Sequence, residues 1–168
     1  MKSKLAGFIG WFFVLIFAQT FVLDPVVLGF DYAPLVYVLL LLFLPNHWPS
    51  WNVLLVAFFI GLTIDFMYMS GGVHAAACLV VAYLRPNLIR TAYKGTLKPS
   101  ELSIENESFD SLIVYAVLVI VIHHFIMLLF VVFDWDRLGW FFSAWAINVL
   151  LTFVASTMLL ILTRRGRL

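Results

Sequence analysis

The chain alternates long apolar runs with short polar breaks. Most of the runs approach the ~20 residues that an α-helix needs to cross the hydrocarbon core of a membrane. The breaks between them hold most of the proline and charged residues. The pattern therefore predicts an all-α polytopic membrane protein, with residues 1–168 forming a single integral membrane domain of six transmembrane helices. The predicted spans are residues 5–23, 33–44, 52–69, 73–89, 111–133 and 138–163.

The composition supports this interpretation. Apolar residues make up 64% of the chain and charged residues only 11%, whereas soluble domains carry about 25% charged residues. The longest polar stretch, near residues 91–110, is too short for a soluble domain. Lys2 and Lys4 before an apolar run resemble a secretory signal. Because the run over residues 5–23 is as long as a membrane span, we expect a retained first helix instead.

The basic residues predict the topology. Nine of them fall on one side of the six predicted spans and only Arg137 on the other, and cytoplasmic loops carry the excess of Lys and Arg. Both termini are therefore expected in the cytoplasm. The nine are Lys2, Lys4, Arg85, Arg90, Lys94, Lys98, Arg164, Arg165 and Arg167.

One stretch, residues 61–86, is predicted to form two membrane helices joined by a tight glycine turn at Ser70, Gly71 and Gly72. It contains Asp65, the only acidic residue inside a predicted span. A carboxylate within a membrane helix is energetically costly, so it suggests a partner-binding or substrate-binding group. The alternative is a structural acid that hydrogen-bonds to a neighbouring helix or reaches the outer interface. His74 begins the next span on the same side and is expected near Asp65.

Small and polar residues in other spans favour helix packing. Gly71 with Ala75, and Gly72 with Ala76, are pairs that would let helix backbones approach closely. A further stripe recurs every fourth residue in the sixth span, where Asn148 is expected to hydrogen-bond between helices rather than bind a ligand. That stripe is Ala144, Asn148, Thr152 and Ser156.

His123 and His124 lie near the middle of the fifth span. Adjacent residues on a helix point in different directions, so the two rings are not expected to hold one metal ion. They are expected to hydrogen-bond between helices, or one of them faces a polar groove with Asn148. The single cysteine, Cys78, excludes a disulfide framework and a cysteine metal site. We expect no metal and no cofactor, and a cap on the fifth helix from Ser108 or Asp110.

The cytoplasmic basic residues have two interpretations. Arg85, Arg90, Lys94 and Lys98 are able to bind anionic membrane lipid, or they serve only to orient the protein in the membrane. The second interpretation explains them fully. Nothing in the sequence indicates nucleic-acid binding, and it lacks the motifs of hydrolases and nucleotide-binding enzymes, so no catalytic residues are expected.

The 61–86 stretch resembles the MreD family, the rod shape-determining membrane proteins of bacteria. The resemblance is carried by Gly61-Leu62-Thr63-Ile64-Asp65, then Gly71-Gly72-Val73-His74-Ala75, and Tyr83-Leu84-Arg85-Pro86. The number of spans and the lack of soluble domains are similar as well. In sequence the likeness is sharp over about 25 residues, and the turn is slightly shorter than in the family pattern. Gly61, Asp65 and Gly72 carry the family motif by position.

This resemblance implies a fold similar to the substrate-binding subunits of energy-coupling-factor transporters. It implies a non-catalytic component of the cell-elongation machinery in the bacterial inner membrane, which supports peptidoglycan synthesis. The implied partners are an MreC-like bitopic membrane protein, and a RodA-like glycosyltransferase with its transpeptidase partner. The alternative function is a substrate-binding membrane subunit of a vitamin transporter, with Asp65, His74, Asn148 and Gln19 as polar pocket residues.

Overall fold

The computed structural model describes residues 2–23, 32–45, 47–94, 108–132 and 135–165, and over these residues the chain is helical without a strand. Two helices are irregular at one end: α1 continues into a π-helical turn at Ala18–Leu23, and α2 follows a 3-10 turn at Val36–Val38. A second 3-10 turn, Trp135–Arg137, precedes α6. The helices are α1 Lys2–Phe17, α2 Leu39–Phe43, α3 Ser50–Tyr68, α4 Val73–Ala92, α5 Phe109–Val132 and α6 Leu138–Arg165.

Three of the described helical stretches are long and apolar enough to cross a membrane: Ser50–Tyr68, Phe109–Val131 and Trp135–Leu162. The apolar stretch Gly7–Leu23 is shorter. Helix α4 is 20 residues long, but its C-terminal part carries Arg85 and Arg90, which lower its hydropathy. The fold is thus that of a helical membrane protein.

Helices α3, α4, α5 and α6 pack against one another in chain order. Residues 32–44, which we name the central segment, lie inside this arrangement. Its 3-10 turn and α2 contact α1, α4, α5 and α6. Leu35 to Leu42 are all buried, with Val36, Tyr37, Val38, Leu40 and Leu42 at 0% exposure. The segment has no polar face, and its apolar side chains pack into the core formed with the surrounding helices.

The central segment differs from the predicted second span. The prediction was a membrane-spanning helix over residues 33–44, but residues 32–35 are not helical and α2 has only five residues. Side chains of other helices pair the backbone groups of Ala33, Pro34 and Leu35, as non-helical backbone in a membrane protein requires.

The other boundaries lie close to those predicted. Helix α4 extends to Ala92, beyond the predicted end at residue 89, and includes Pro86. Ser108 caps α5, as expected, by accepting a hydrogen bond on Oγ from the Ser111 amide at 3.3 Å. Lys98 and Arg167, two of the nine basic residues used to predict topology, lie outside the described residues.

Candidate functional site

Helices α3 and α4 form the predicted hairpin, and its turn depends on left-handed backbone. Helix α3 ends at Tyr68, and Met69 follows with φ of 50°. Gly71 and Gly72 have φ of 71° and 97°, values that side chains with a Cβ adopt at an energetic cost. A Cβ on either glycine would meet no atom within 4 Å. Their role is therefore in the turn, and the prediction that they pack closely in small-residue pairs with Ala75 and Ala76 was wrong.

The close approach of the two helices occurs at Gly61 instead. A Cβ at this position would overlap Ala75 Cα and lie 2.6 Å from the His74 carbonyl oxygen. No real Cβ tolerates such distances, so only glycine allows the α3 backbone to touch the α4 backbone here. Asp65 is four residues later on the same face of α3. The contact at Gly61 thereby brings Asp65 to the first turn of α4.

Asp65 caps α4 from the preceding helix. Its Oδ1 accepts hydrogen bonds from the Ser70 hydroxyl at 2.5 Å and the His74 amide at 3.0 Å, and its Oδ2 accepts one from the Ala75 amide at 2.8 Å. The residue in the usual capping position, Gly72, has no side chain to do this. A carboxylate satisfies the unpaired amides of a helix N-terminus and interacts favourably with its dipole.

The main chain of Asp65 has a second role. Its carbonyl oxygen accepts hydrogen bonds from the amides of Met69 and Ser70, which closes the C-terminus of α3. Asp65 is only 5% exposed. Of the two interpretations of this carboxylate, the geometry thus supports the structural acid, and a direct contact between the carboxylate and a partner stays a prediction.

The imidazole of His74 points into the bundle. His74 does lie next to Asp65, as expected, but the bond between them comes from the His74 main-chain amide. The ring Nδ1 instead hydrogen-bonds to the Tyr37 hydroxyl at 2.7 Å, and the same hydroxyl bonds to His123 Nε2 at 2.9 Å. A phenol has one proton, so Tyr37 donates to one ring and accepts from the other. Tyr37 therefore joins the hairpin to α5 through the central segment.

Side chains from α1 and α6 satisfy the non-helical backbone of the central segment. The Ala33 amide donates to Asn148 Oδ1 at 3.0 Å, and the Leu35 amide donates to Thr152 Oγ1 at 2.9 Å. Gln19 Nε2, from the π-helical turn, donates to the Pro34 carbonyl at 3.1 Å. Backbone groups left unpaired in a membrane interior would be costly. The polar stripe of α6 thus serves the central segment, besides packing against α5.

His124 orients the Thr152 hydroxyl that accepts from the Leu35 amide. Its Nδ1 lies 3.0 Å from the Ile120 carbonyl and its Nε2 lies 3.0 Å from Thr152 Oγ1. A carbonyl only accepts, so Nδ1 carries the proton and Nε2 accepts from the Thr152 hydroxyl. That hydroxyl can then accept from Leu35 with its lone pair. His123 and His124 both bond between helices, which confirms the expectation of interhelical hydrogen bonds.

Arg85 lies inside the bundle rather than in a basic loop. It is 6% exposed, its Nε donates to the Tyr115 hydroxyl at 3.2 Å, and its Nη2 donates to the Leu44 carbonyl. It was grouped with Arg90, Lys94 and Lys98 as a cytoplasmic basic residue, but it lies within α4, which continues for seven residues beyond it. Arg85 connects α4, α5 and the end of the central segment, where α2 has no further helical partner for its carbonyls.

Sequence reasoning did not foresee the hydrogen bonds made by the hydroxyls of Tyr37, Tyr115 and Ser70. Each is a single hydroxyl in or beside an apolar run, and a buried hydroxyl needs a partner. That signal marks a residue as a contact point without showing which helix it reaches. Among the described residues, no cluster of three or more His, Cys, Asp or Glu side chains could hold a metal ion.

Comparison with protein-family models, with curated proteins and with solved structures gave no match.

Proposed function

We propose that this protein is a non-catalytic membrane component of the bacterial cell-elongation machinery, of the MreD type. The observation that carries the proposal is the hairpin. The residues that carry the resemblance, Gly61, Asp65 and Gly72, perform three connected tasks in it: helix contact, helix capping and turn. Because the three tasks depend on one another, the distances along the chain between Gly61, Asp65 and Gly72 are constrained, which is what a family motif requires.

The proposed topology is six spans in the inner membrane with both termini in the cytoplasm. The central segment is the shortest of these spans. Since non-helical residues and 3-10 turns rise more per residue than an α-helix, residues 32–43 reach at most roughly 27 Å. That is close to the ~30 Å of hydrocarbon in a bilayer. Partial unwinding is a means for this segment to cross with few residues.

The proposed partner is an MreC-like protein with one membrane span, working alongside a RodA-like glycosyltransferase and its transpeptidase partner. The outer face of α3 supports a hairpin presented to lipid or to another membrane helix. Phe66 is 84% exposed, and Phe59 and Met67 are 54% and 42% exposed. The hairpin motif itself is buried behind this face, so Asp65 acts on a partner through the shape of the hairpin.

The test is purification of the tagged protein in a mild detergent from its native membrane, with mass spectrometry of what accompanies it. A bitopic protein in near-equal amount supports the proposal. Asp65→Ala is expected to reduce that amount, because it weakens the hairpin. A photo-crosslinking residue at Phe66 is expected to capture the partner, and one at Val154, which is 59% exposed on α6, serves as the matched control. A wild-type protein that purifies with no bitopic partner contradicts the proposal.

The second candidate function is a substrate-binding transporter subunit. It is favoured by the position of Gln19, whose Oε1 is buried beside the non-helical part of the central segment and has no hydrogen-bond partner within the described part of the chain. Transporter sites form where helices are interrupted. Against it, Asn148 and His74 already bond to this segment. Copurification of an ATPase pair and a coupling subunit, or of a bound small molecule, would favour this function over the first.

A further inference from the structure

The two helices of the hairpin are joined closely enough to share one position in the bundle. They touch at Gly61, where a Cβ has no room, and Asp65 of α3 caps the first turn of α4. Among the described helices, α4 is the main neighbour of α3, and α4 packs in turn against α5. The contacts that hold α4 against α5 and the central segment therefore also determine where the outer face of α3 lies.

Polar side chains hold α4 at two places. Near the turn of the hairpin, the Tyr37 hydroxyl lies 2.7 Å from His74 Nδ1 of α4 and 2.9 Å from His123 Nε2 of α5. We name these three residues the turn-side cluster. Further along α4, Arg85 donates hydrogen bonds to Tyr115 of α5 and to the end of the central segment. At 1.5 Å per residue, the positions of His74 and Arg85 on α4 are roughly 16 Å apart.

The hydrogen bonds of the turn-side cluster are well suited to orient a membrane helix. Lipid chains are as apolar as the core of the protein, so apolar burial does little to fix one helix against another, and polar bonds contribute more. Tyr37 and His123 are both at 0% exposure. Buried imidazole and hydroxyl groups need partners, and the single hydroxyl of Tyr37 supplies one to a ring on α4 and one to a ring on α5.

A second connection lies at the same end of the hairpin. Gln19 Nε2 lies 3.1 Å from the Pro34 carbonyl oxygen of the central segment and 3.4 Å from the Tyr68 hydroxyl of α3. Both helices of the hairpin are thus connected to the central segment close to the turn. Phe66, the exposed residue proposed to meet the partner, lies two positions before Tyr68. The proposed contact face is therefore next to the part of α3 that the central segment holds.

We propose that the central segment sets the position in which the hairpin presents Phe66 to the partner helix, with Tyr37 as the main positioning residue and Gln19 as the second. Tyr37 is fully buried and acts on the partner through His74 and α4. Loss of its hydroxyl releases the turn end of α4, while Arg85 keeps the other end in place. The inference rests on the MreD-type function proposed above, since it adds a control to that same contact face.

The experiment places the photo-crosslinking residue at Phe66 in native membranes and measures the yield of adduct with the bitopic protein, divided by the amount of folded protein. Tyr37→Phe is expected to lower this yield by about fivefold, the size of a modest coupling between sites. The matched control, Tyr115→Phe, removes a buried hydroxyl at the other end of α4 and leaves Arg85 bonded to the Leu44 carbonyl. It is expected to stay within about twofold of wild type.

Two outcomes of this experiment would overturn the proposal. Equal yields for Tyr37→Phe and wild type would show that the hydroxyl does not position the contact face. Equal losses in Tyr37→Phe and Tyr115→Phe would show a general effect of removing buried hydroxyls. If Tyr37→Phe fails to fold, Gln19→Leu repeats the test, because it removes the connection to Tyr68 and Pro34 with little change in volume. Its expected loss is about threefold, and a yield equal to wild type would overturn the proposal.

A distance measurement separates this inference from the function on which it rests. Spin labels on Phe66→Cys and Val154→Cys, at exposed positions of α3 and α6, report the position of the hairpin in purified protein without a partner. The single native cysteine, Cys78, is fully buried and out of reach of the label. We expect Tyr37→Phe to shift or broaden the distance distribution and Tyr115→Phe to leave it unchanged. An unchanged distribution in both variants overturns the inference, whereas a shift in Tyr37→Phe without any adduct in wild type overturns only the MreD-type function.

Discussion

The hairpin and the central segment are both held by side chains that bond to backbone amides, but the bonds span very different lengths of chain. In the hairpin, Asp65 bonds to groups five, nine and ten positions later. In the central segment, the amides of Ala33 and Leu35 bond to side chains 115 and 117 positions later. The hairpin is a local unit, whereas these two amides of the central segment acquire their partners only when α6 has packed. Local contacts require less loop closure and form sooner.

The largest loss of unfolding free energy is expected from a substitution that separates the two helices of the hairpin. Gly61→Ala places a methyl group against the Ala75 backbone, which cannot move aside as a side chain can. We expect a loss of about 3 kcal/mol or more of unfolding free energy, at the upper end of overpacking effects. The measurement is reversible unfolding in mixed detergent micelles. Gly10→Ala, in open space on α1, is the control and should stay within about 1 kcal/mol of wild type.

A Gly61→Ala protein as stable as Gly10→Ala would show that α3 and α4 can shift apart at no cost. The hairpin would then be loosely packed, and its contrast with the central segment would lose its basis.

The second effect tests the cap on α4. Asp65→Ala removes the acceptor of three hydrogen bonds and leaves two buried amides unsatisfied. We expect a loss of about 3 kcal/mol, and roughly half of that for Asp65→Asn, which keeps one acceptor oxygen. The same unfolding assay gives both values. If both variants are as stable as wild type, the carboxylate does not act as a cap, and a role in direct partner contact becomes the better explanation.

The difference between the two regions also explains what the sequence could predict. The hairpin was found because glycines, an aspartate and a helix start lie within a short stretch, where spacing along the chain determines spacing in the fold. The central segment was mistaken for an ordinary span, because its ten consecutive apolar residues show no periodicity. What makes it non-helical is a set of partners on α1 and α6, and no local pattern connects Gln19 or Thr152 to Pro34 and Leu35.

Arg85 is a second residue whose contacts could not be predicted from its position in the sequence. Its place near the end of a predicted span put it with the cytoplasmic basic residues, and only the packing of Leu44 and Tyr115 around it explains its burial. A charge within a helix has two interpretations, as a boundary or as a buried contact, and sequence position alone favours the first.

A smaller loss of unfolding free energy is expected from a substitution that removes a hydrogen bond to the central segment. Thr152→Val keeps the shape of the side chain but removes the acceptor for the Leu35 amide and the donor to His124. We expect a loss of about 1–2 kcal/mol. Ser156, one turn later on α6, is also buried, and its hydroxyl has no hydrogen-bond partner among the described residues. Ser156→Ala should therefore be neutral or slightly stabilising, and equal losses at both positions would argue that α6 contributes packing alone.

The smallest energy expected is the coupling energy between substitutions in the hairpin and in the central segment. Its size decides whether the two regions are separate units. Asp65 and Thr152 share no hydrogen-bond partner, so Asp65→Asn and Thr152→Val should be additive within about 0.5 kcal/mol in a double-mutant cycle. Tyr37 is the exception, since its hydroxyl bonds to His74 of the hairpin from within the central segment. Tyr37→Phe combined with Asp65→Asn should give a measurable coupling energy, because His74 contacts both. If Asp65→Asn and Thr152→Val couple as strongly as Tyr37→Phe and Asp65→Asn, stability is shared across the whole bundle. The contrast between a local hairpin and a long-range central segment would then describe only the sequence separation of their hydrogen bonds.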